Sequence, residues 1–155
     1  MGEVGEASLP SVLIVDDDED HCTMLEIALE CRGYRVRSAH SCREAMDLLS
    51  GGDASVDALV CDLTLGDGTA LDVLRGVGVR APRVSVVLSG FDSQDEQERS
   101  LAAGFAAHLV KPTPIETLIS VLERGIKRPT SGFRLAKASA APPPIGASSF
   151  KRAMR

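Results

Sequence analysis

The feature that most limits what this chain can fold into is an alternation of two apolar patterns along its length. Short apolar runs occur at residues 12–15, 58–61, 84–88 and 106–110, with the length and character of strands covered on both faces. A fifth segment, 34–38, alternates apolar and polar residues as a more exposed strand does. Between the runs lie stretches with helical spacing, clearest at Ile115, Leu118, Ile119 and Leu122 (i, i+3, i+4, i+7). The pairs Ser41…Glu44, Thr69…Asp72, Ser93…Glu96 and Thr113…Glu116 have the capping-box spacing that opens a helix. Pro114 suits a first helical position, and Gly33 suits a helix stop. The pattern predicts an α/β fold, (βα)5, with a doubly wound parallel sheet covered by helices on both sides. Right-handed crossovers restrict the topology, and ligands of such sheets bind beyond the carboxyl ends of the strands.

Four of the five predicted strands end in a chemically active residue. The first runs into Asp16, Asp17 and Asp18, the third ends at Asp62, the fourth at Ser89 before Gly90, and the fifth at Lys111 before Pro112. A parallel sheet brings these ends to one edge. Two carboxylates about 4 Å apart repel by roughly 4 kcal/mol at an effective dielectric near 20, so several together require a cation or a raised pKa. Lys111 supplies one positive charge, and a hard divalent ion is the natural remainder. Magnesium takes oxygen ligands and commonly shares one or two carboxylates with a phosphate oxygen. A carboxylate, a metal, an ammonium and a small hydroxyl are the parts needed to accept a phosphoryl group. Asp62 would attack phosphorus in line and form an aspartyl phosphate. The metal and Lys111 would neutralise the equatorial oxygens. Ser89 would donate a hydrogen bond to a phosphoryl oxygen, with Gly90 leaving the approach open. Asp18 is read partly as the cap of the first helix, and Asp16 and Asp17 as metal ligands.

The segments Val12-Leu13-Ile14-Val15-Asp16-Asp17-Asp18, Val60-Cys61-Asp62-Leu63-Thr64-Leu65, Val87-Leu88-Ser89-Gly90 and Val110-Lys111-Pro112 together resemble the receiver domain of two-component response regulators. The resemblance implies a flavodoxin-like sheet with strand order 2-1-3-4-5. It implies Asp62 as phosphoacceptor, with Lys111 and Ser89 as its catalytic partners. Mg2+ would be held by Asp16, Asp17, Asp62 and the main-chain carbonyl of Thr64, and the Lys111–Pro112 bond would be cis. The chain departs from the family pattern at two places. A switch position usually filled by Tyr or Phe holds His108, which either swings between rotamers together with Ser89 or sits exposed on the last strand with no such role. Gly66 stands where many receivers have proline, and a more mobile loop is a consequence. Two rival motifs fail. Asp67-Gly68-Thr69 lacks the leading aspartate of a haloacid-dehalogenase nucleophile motif, and Gly76-Val77-Gly78-Val79-Arg80-Ala81 lacks the third glycine of a dinucleotide loop.

Charge divides the chain. Residues 1–126 hold all 22 acidic residues and 10 of the 17 basic ones, a balance of −12, while residues 127–155 hold seven basic residues and no acid, a balance of +7. The acidic body argues against a nucleic-acid-binding domain, and aromatics at 3% with no Trp argue against a base-stacking platform. No apolar run reaches the roughly 18 residues of a membrane span. The N-terminus lacks the features of a signal peptide, so a cytoplasmic location is expected. Cys22, Cys31, Cys42 and Cys61 have no CxxC spacing, and with His21, His40 and His108 they complete no zinc pattern; they read as reduced packing thiols. The expected organisation is an N-terminal extension (1–10), a receiver (11–127) and a flexible basic tail rich in Ala, Pro and Ser (128–155).

The expected function is signalling rather than metabolic catalysis. Asp62 is phosphorylated by a histidine kinase or histidine phosphotransfer protein. A conformational switch on the face of helix 4, strand 5 and helix 5 then reports to a downstream protein target. That face also offers a weak homodimer contact. No DNA-binding domain is expected after Ile126. The alternatives are a phosphorelay intermediate that passes the group onward, a binding module with a vestigial pocket, and the receiver fragment of a longer regulator with the tail as linker.

Overall fold

Each apolar run becomes a strand and each capped stretch a helix. The computed structural model describes residues 9–51, 55–90 and 93–127. Its elements alternate as β1 (Ser11–Val15), α1 (Glu19–Glu30), β2 (Arg35–Ala39), α2 (Cys42–Ser50), β3 (Ala58–Asp62), α3 (Ala70–Val77), β4 (Val84–Ser89), α4 (Gln94–Ala103), β5 (Ala107–Val110) and α5 (Ile115–Lys127). All four pairings in the five-stranded sheet are parallel, and the strand order is β2-β1-β3-β4-β5. This is the (βα)5 flavodoxin-like order expected. The tail (128–155) and the N-terminal extension, apart from Leu9 and Pro10, lie outside the described residues.

The period-two alternation of each strand splits the core into two layers. Leu13 and Val15, Leu59 and Cys61, and Val87 face α2 and α3, together with Phe105. Val12 and Ile14, Ala58 and Val60, and Val84, Val86 and Leu88 face Leu25 and Leu29 of α1 and Leu118, Ile119 and Leu122 of α5. The edge strand β2 alternates exposed and half-buried positions, as its weaker pattern foretold. Gly125 lets α5 settle closely on the sheet, since a Cβ there would fall 2.4 Å from Cβ of Val84. Gly33, at φ +93°, ends α1 in a conformation that favours glycine.

The capping residues behave as expected at three helices out of four. Ser41, Thr69 and Ser93 accept from the N–H groups of Glu44, Asp72 and Glu96, and Thr69 with Asp72 closes the full reciprocal box. Glu44 reaches back one residue further, to the His40 N–H at 2.9 Å. Thr113 does not cap α5. Its hydroxyl donates to the Val110 carbonyl at 2.9 Å, and the Pro114 carbonyl accepts from the N–H groups of Thr117 and Leu118. Pro114 therefore stands just before the helix and not at its first position. Cys22, Cys42 and Cys61 are buried, Cys31 is exposed, and all four are free thiols. Burial is the main reason Cys22 is pushed up to about 12 and Cys42 to about 11, which fits packing and not reactivity. Among the described residues, no helix is long and apolar enough to cross a membrane.

Candidate functional site

The four parallel pairings carry the strand ends to one edge, and four of the residues predicted there, Asp16, Asp17, Asp62 and Lys111, meet. Ligand oxygens of Asp16, Asp17 and Asp62 lie within 4.8 Å of one another. Lys111 Nζ is 3.0 Å from Asp62 Oδ1 and 3.6 Å from Asp16 Oδ2. Backbone bonds set this convergence: the Lys111 N–H donates to the Ser89 carbonyl at 2.7 Å, and the Leu63 N–H donates to the Leu88 carbonyl at 2.7 Å. The Lys111–Pro112 peptide is cis. Burial raises the pKa of Asp62, assisted by the charges of Asp16 and Asp17, and the Lys111 ammonium only partly opposes this. Burial alone would lower Lys111, but its contacts with Asp62 and Asp16 outweigh that and hold it above its ordinary value.

Three consecutive aspartates are divided between two tasks. The Asp18 carboxylate caps α1 by accepting from the N–H groups of Asp20 and His21, which takes it out of the cluster. Asp16 is 3% exposed, and its Oδ1 accepts the Asp18 N–H at 2.9 Å. Hard oxygen donors in this number, facing a single ammonium, fit a divalent cation of the magnesium type. Softer or thiolate-seeking metals find no sulfur ligand in the cluster.

Ser89 is buried at the end of β4, on the sheet side that Val87 shares with α2 and α3. His108 pairs with Val87 across the β4–β5 ladder. It is half-buried, and its Nδ1 lies 3.2 Å from the hydroxyl of buried Ser100 on α4. The ring is thus half-buried between β5 and α4, and not exposed on the last strand. Thr64 lies two residues beyond Asp62 in a short antiparallel hairpin, Thr64–Leu65 with Gly68–Thr69. That hairpin is absent from the sequence reading. The Asp67 carboxylate ties it to α2 by accepting from the N–H groups of Cys42 at 2.8 Å and Arg43 at 3.1 Å. Those two bonds lower the pKa of Asp67. His21 is a second residue that sequence reasoning missed. Its Nδ1 lies 2.5 Å from Asp16 Oδ2, and its only sequence signal is its place in the first turn of a helix that begins at the pocket. A groove of about 760 Å³ lined by Ser11, Glu30, Tyr34 and Arg35 lies at the opposite, amino-terminal ends of β1 and β2 and includes no member of the cluster.

Comparison with known proteins agrees with the fold. Residues 12–123 match the family model of the response regulator receiver domain, and the chain belongs to that family of two-component signalling modules. It is 29% identical over 132 residues to the transcriptional regulatory protein ZraR of Salmonella typhimurium, covering 84% of this chain and 30% of that protein. It is 34% identical over 120 residues to the response regulator MprA of Mycobacterium tuberculosis, covering 76% of this chain and 50% of that protein. The chain thus spans between 30% and 50% of the length of these relatives. Among solved structures, it is similar to a response regulator protein from Burkholderia pseudomallei with a phosphorylated aspartic acid, calcium ion and citrate. That match has TM-score 0.70 and 27% identity, covering 85% of this chain and 73% of the other. The chemotaxis response regulator CheY4 of Vibrio cholerae matches at TM-score 0.66 and 26% identity, covering 76% of this chain and 99% of the other.

Proposed function

We propose that the chain is a cytoplasmic receiver that takes a phosphoryl group onto Asp62 from a phosphohistidine of a histidine kinase or histidine phosphotransfer protein, and then signals to a protein partner. The observation that carries this reading is the ion pair of Lys111 with Asp62 inside the three-carboxylate cluster. An Asp62 oxygen attacks phosphorus, and the P–O bond forms as the P–N bond to the donor histidine breaks. The bonding pair leaves with the imidazole nitrogen. Asp16, Asp17, Asp62 and the Thr64 carbonyl would hold Mg2+, which supplies charge neutralisation at the phosphoryl oxygens when bound. Lys111 adds a fixed positive charge on the same oxygens, and Ser89 donates a hydrogen bond to one of them. The phosphorylated aspartic acid in the Burkholderia pseudomallei structure supports the assignment by likeness. Met24 and Ile27 of α1 are 57% and 58% exposed, on the helix that starts at the pocket, and would offer a donor protein an apolar contact.

Signal output is assigned to the face built by α4, β5 and α5. Ser89 and His108 lie on the same side of the sheet, and His108 already contacts Ser100 of α4. A shift of Ser89 toward the phosphoryl group would therefore reach α4 through packed side chains. The test is intact mass after incubation with acetyl phosphate and Mg2+, beside an Asp62→Asn variant. A single phosphoryl adduct that needs both the metal and Asp62 supports the reading. No adduct, or the same adduct in the variant, overturns it in favour of a binding module with a vestigial pocket.

A further inference from the structure

The phosphoryl-transfer reading leaves His21 without a task, yet its side chain is aimed at the most buried carboxylate of the pocket. Its Nδ1 lies 2.5 Å from Asp16 Oδ2, with side-chain exposures of 21% for His21 and 4% for Asp16. A carboxylate oxygen accepts, so the tautomer that completes this contact carries its proton on Nδ1. The contact is built by the helix start. The Asp18 carboxylate that caps α1 also accepts the His21 N–H at 3.3 Å, which fixes the backbone from which the ring reaches back. Asp16 is therefore gripped at both oxygens: Oδ1 by the Asp18 N–H at 2.9 Å, and Oδ2 by His21, with Lys111 Nζ at 3.6 Å. A carboxylate has about four lone-pair positions. Two firm bonds set its rotation and decide which positions remain for a shared cation.

We propose that His21 is a positioning residue that holds the Asp16 carboxylate in the orientation in which the Asp16, Asp17 and Asp62 cluster binds its divalent cation. The proposal rests on the metal reading given above. It differs from a purely structural role in its chemistry, since any side chain that donates from the position of Nδ1 serves, and one that only fills space does not. Partners of this kind behind metal ligands change affinity by roughly 10–100-fold, and a one-fifth exposed ring belongs at the lower end.

The test is calorimetric titration of the whole chain with Mg2+, comparing wild type with His21→Ala, His21→Asn and Asp17→Asn. Thermal unfolding in EDTA checks that each variant is folded. Asn can place an amide N–H near the position of Nδ1. The expected result is about a 10-fold weaker Mg2+ affinity in His21→Ala, most of it restored in His21→Asn. Unchanged affinity in His21→Ala, or equal loss in both variants, overturns the proposal. So does tighter binding in His21→Ala, which would make His21 a competitor of the cation. If wild type takes up no Mg2+, or Asp17→Asn binds it equally well, the metal reading itself falls and the role of His21 with it.

Discussion

Asp18 turns its carboxylate back onto the first turn of α1, while Asp16 and Asp17 direct theirs to the cluster with Asp62. Identical side chains in a row are thus sorted by the backbone they sit on, because only the N-cap position presents two unpaired N–H groups to a short acid. Asp62 is a residue whose chemistry costs the fold stability. Burial raises its pKa, so between its ordinary value of 3.8 and the raised one the folded chain binds more protons than the unfolded chain. Stability then falls as pH rises through that window, and the loss is complete above it. Asp62→Asn in EDTA is therefore expected to melt higher than wild type at pH 7, with the difference vanishing below about pH 4. Thermal unfolding at the two pH values checks this. A lower melting temperature at pH 7 would mean that the Lys111 ion pair outweighs burial.

At the scale of elements, α5 depends on the one position where it has no side chain to hold it off the sheet. Gly125→Ala would gain about 1 kcal/mol of helix propensity. It would also place a methyl 2.4 Å from Cβ of Val84, and overpacking a filled core costs about 1–3 kcal/mol. The variant should be less stable in urea denaturation, with an unchanged m-value; equal or greater stability would show that α5 can lift away freely. The strands and most helix starts were legible in the sequence because their signals are local: apolar runs, and a Ser or Thr three residues before an acid. The hairpin after Asp62 was not. Its anchor, Asp67, is bonded to N–H groups 24 and 25 residues away, and no local pattern records a bond across that distance. Thr113 misled for the opposite reason. Its spacing from Glu116 is right, but the Val110 carbonyl lies within reach and takes the hydroxyl.

For the molecule as a whole, the site was readable because topology does the assembling. Once the sheet is parallel, residues scattered between Asp16 and Lys111 must share an edge, and strand-end chemistry can be read without coordinates. What topology does not reveal is side-chain direction, which is why His21 escaped notice and why His108 needed the structure to be placed against α4. Chemistry and docking sit on different residues. Replacing Met24 and Ile27 of α1 by Asp should slow phosphoryl transfer from a phosphohistidine donor by about 10-fold or more. Labelling by acetyl phosphate should be unaffected, because the pocket residues are untouched. Equal slowing of both reactions would place those residues in the site and not in the donor interface.

The central claim is that the acceptor is the Asp62 carboxylate and no other. The measurement that tests it most directly is borohydride reduction of the chain after incubation with acetyl phosphate and Mg2+, followed by peptide sequencing by mass spectrometry. Reduction converts an acyl phosphate to homoserine at the residue that carried it. Homoserine is expected at position 62 alone. Homoserine at Asp16, Asp17 or another acid, or none in a chain that has taken up phosphate, would contradict it.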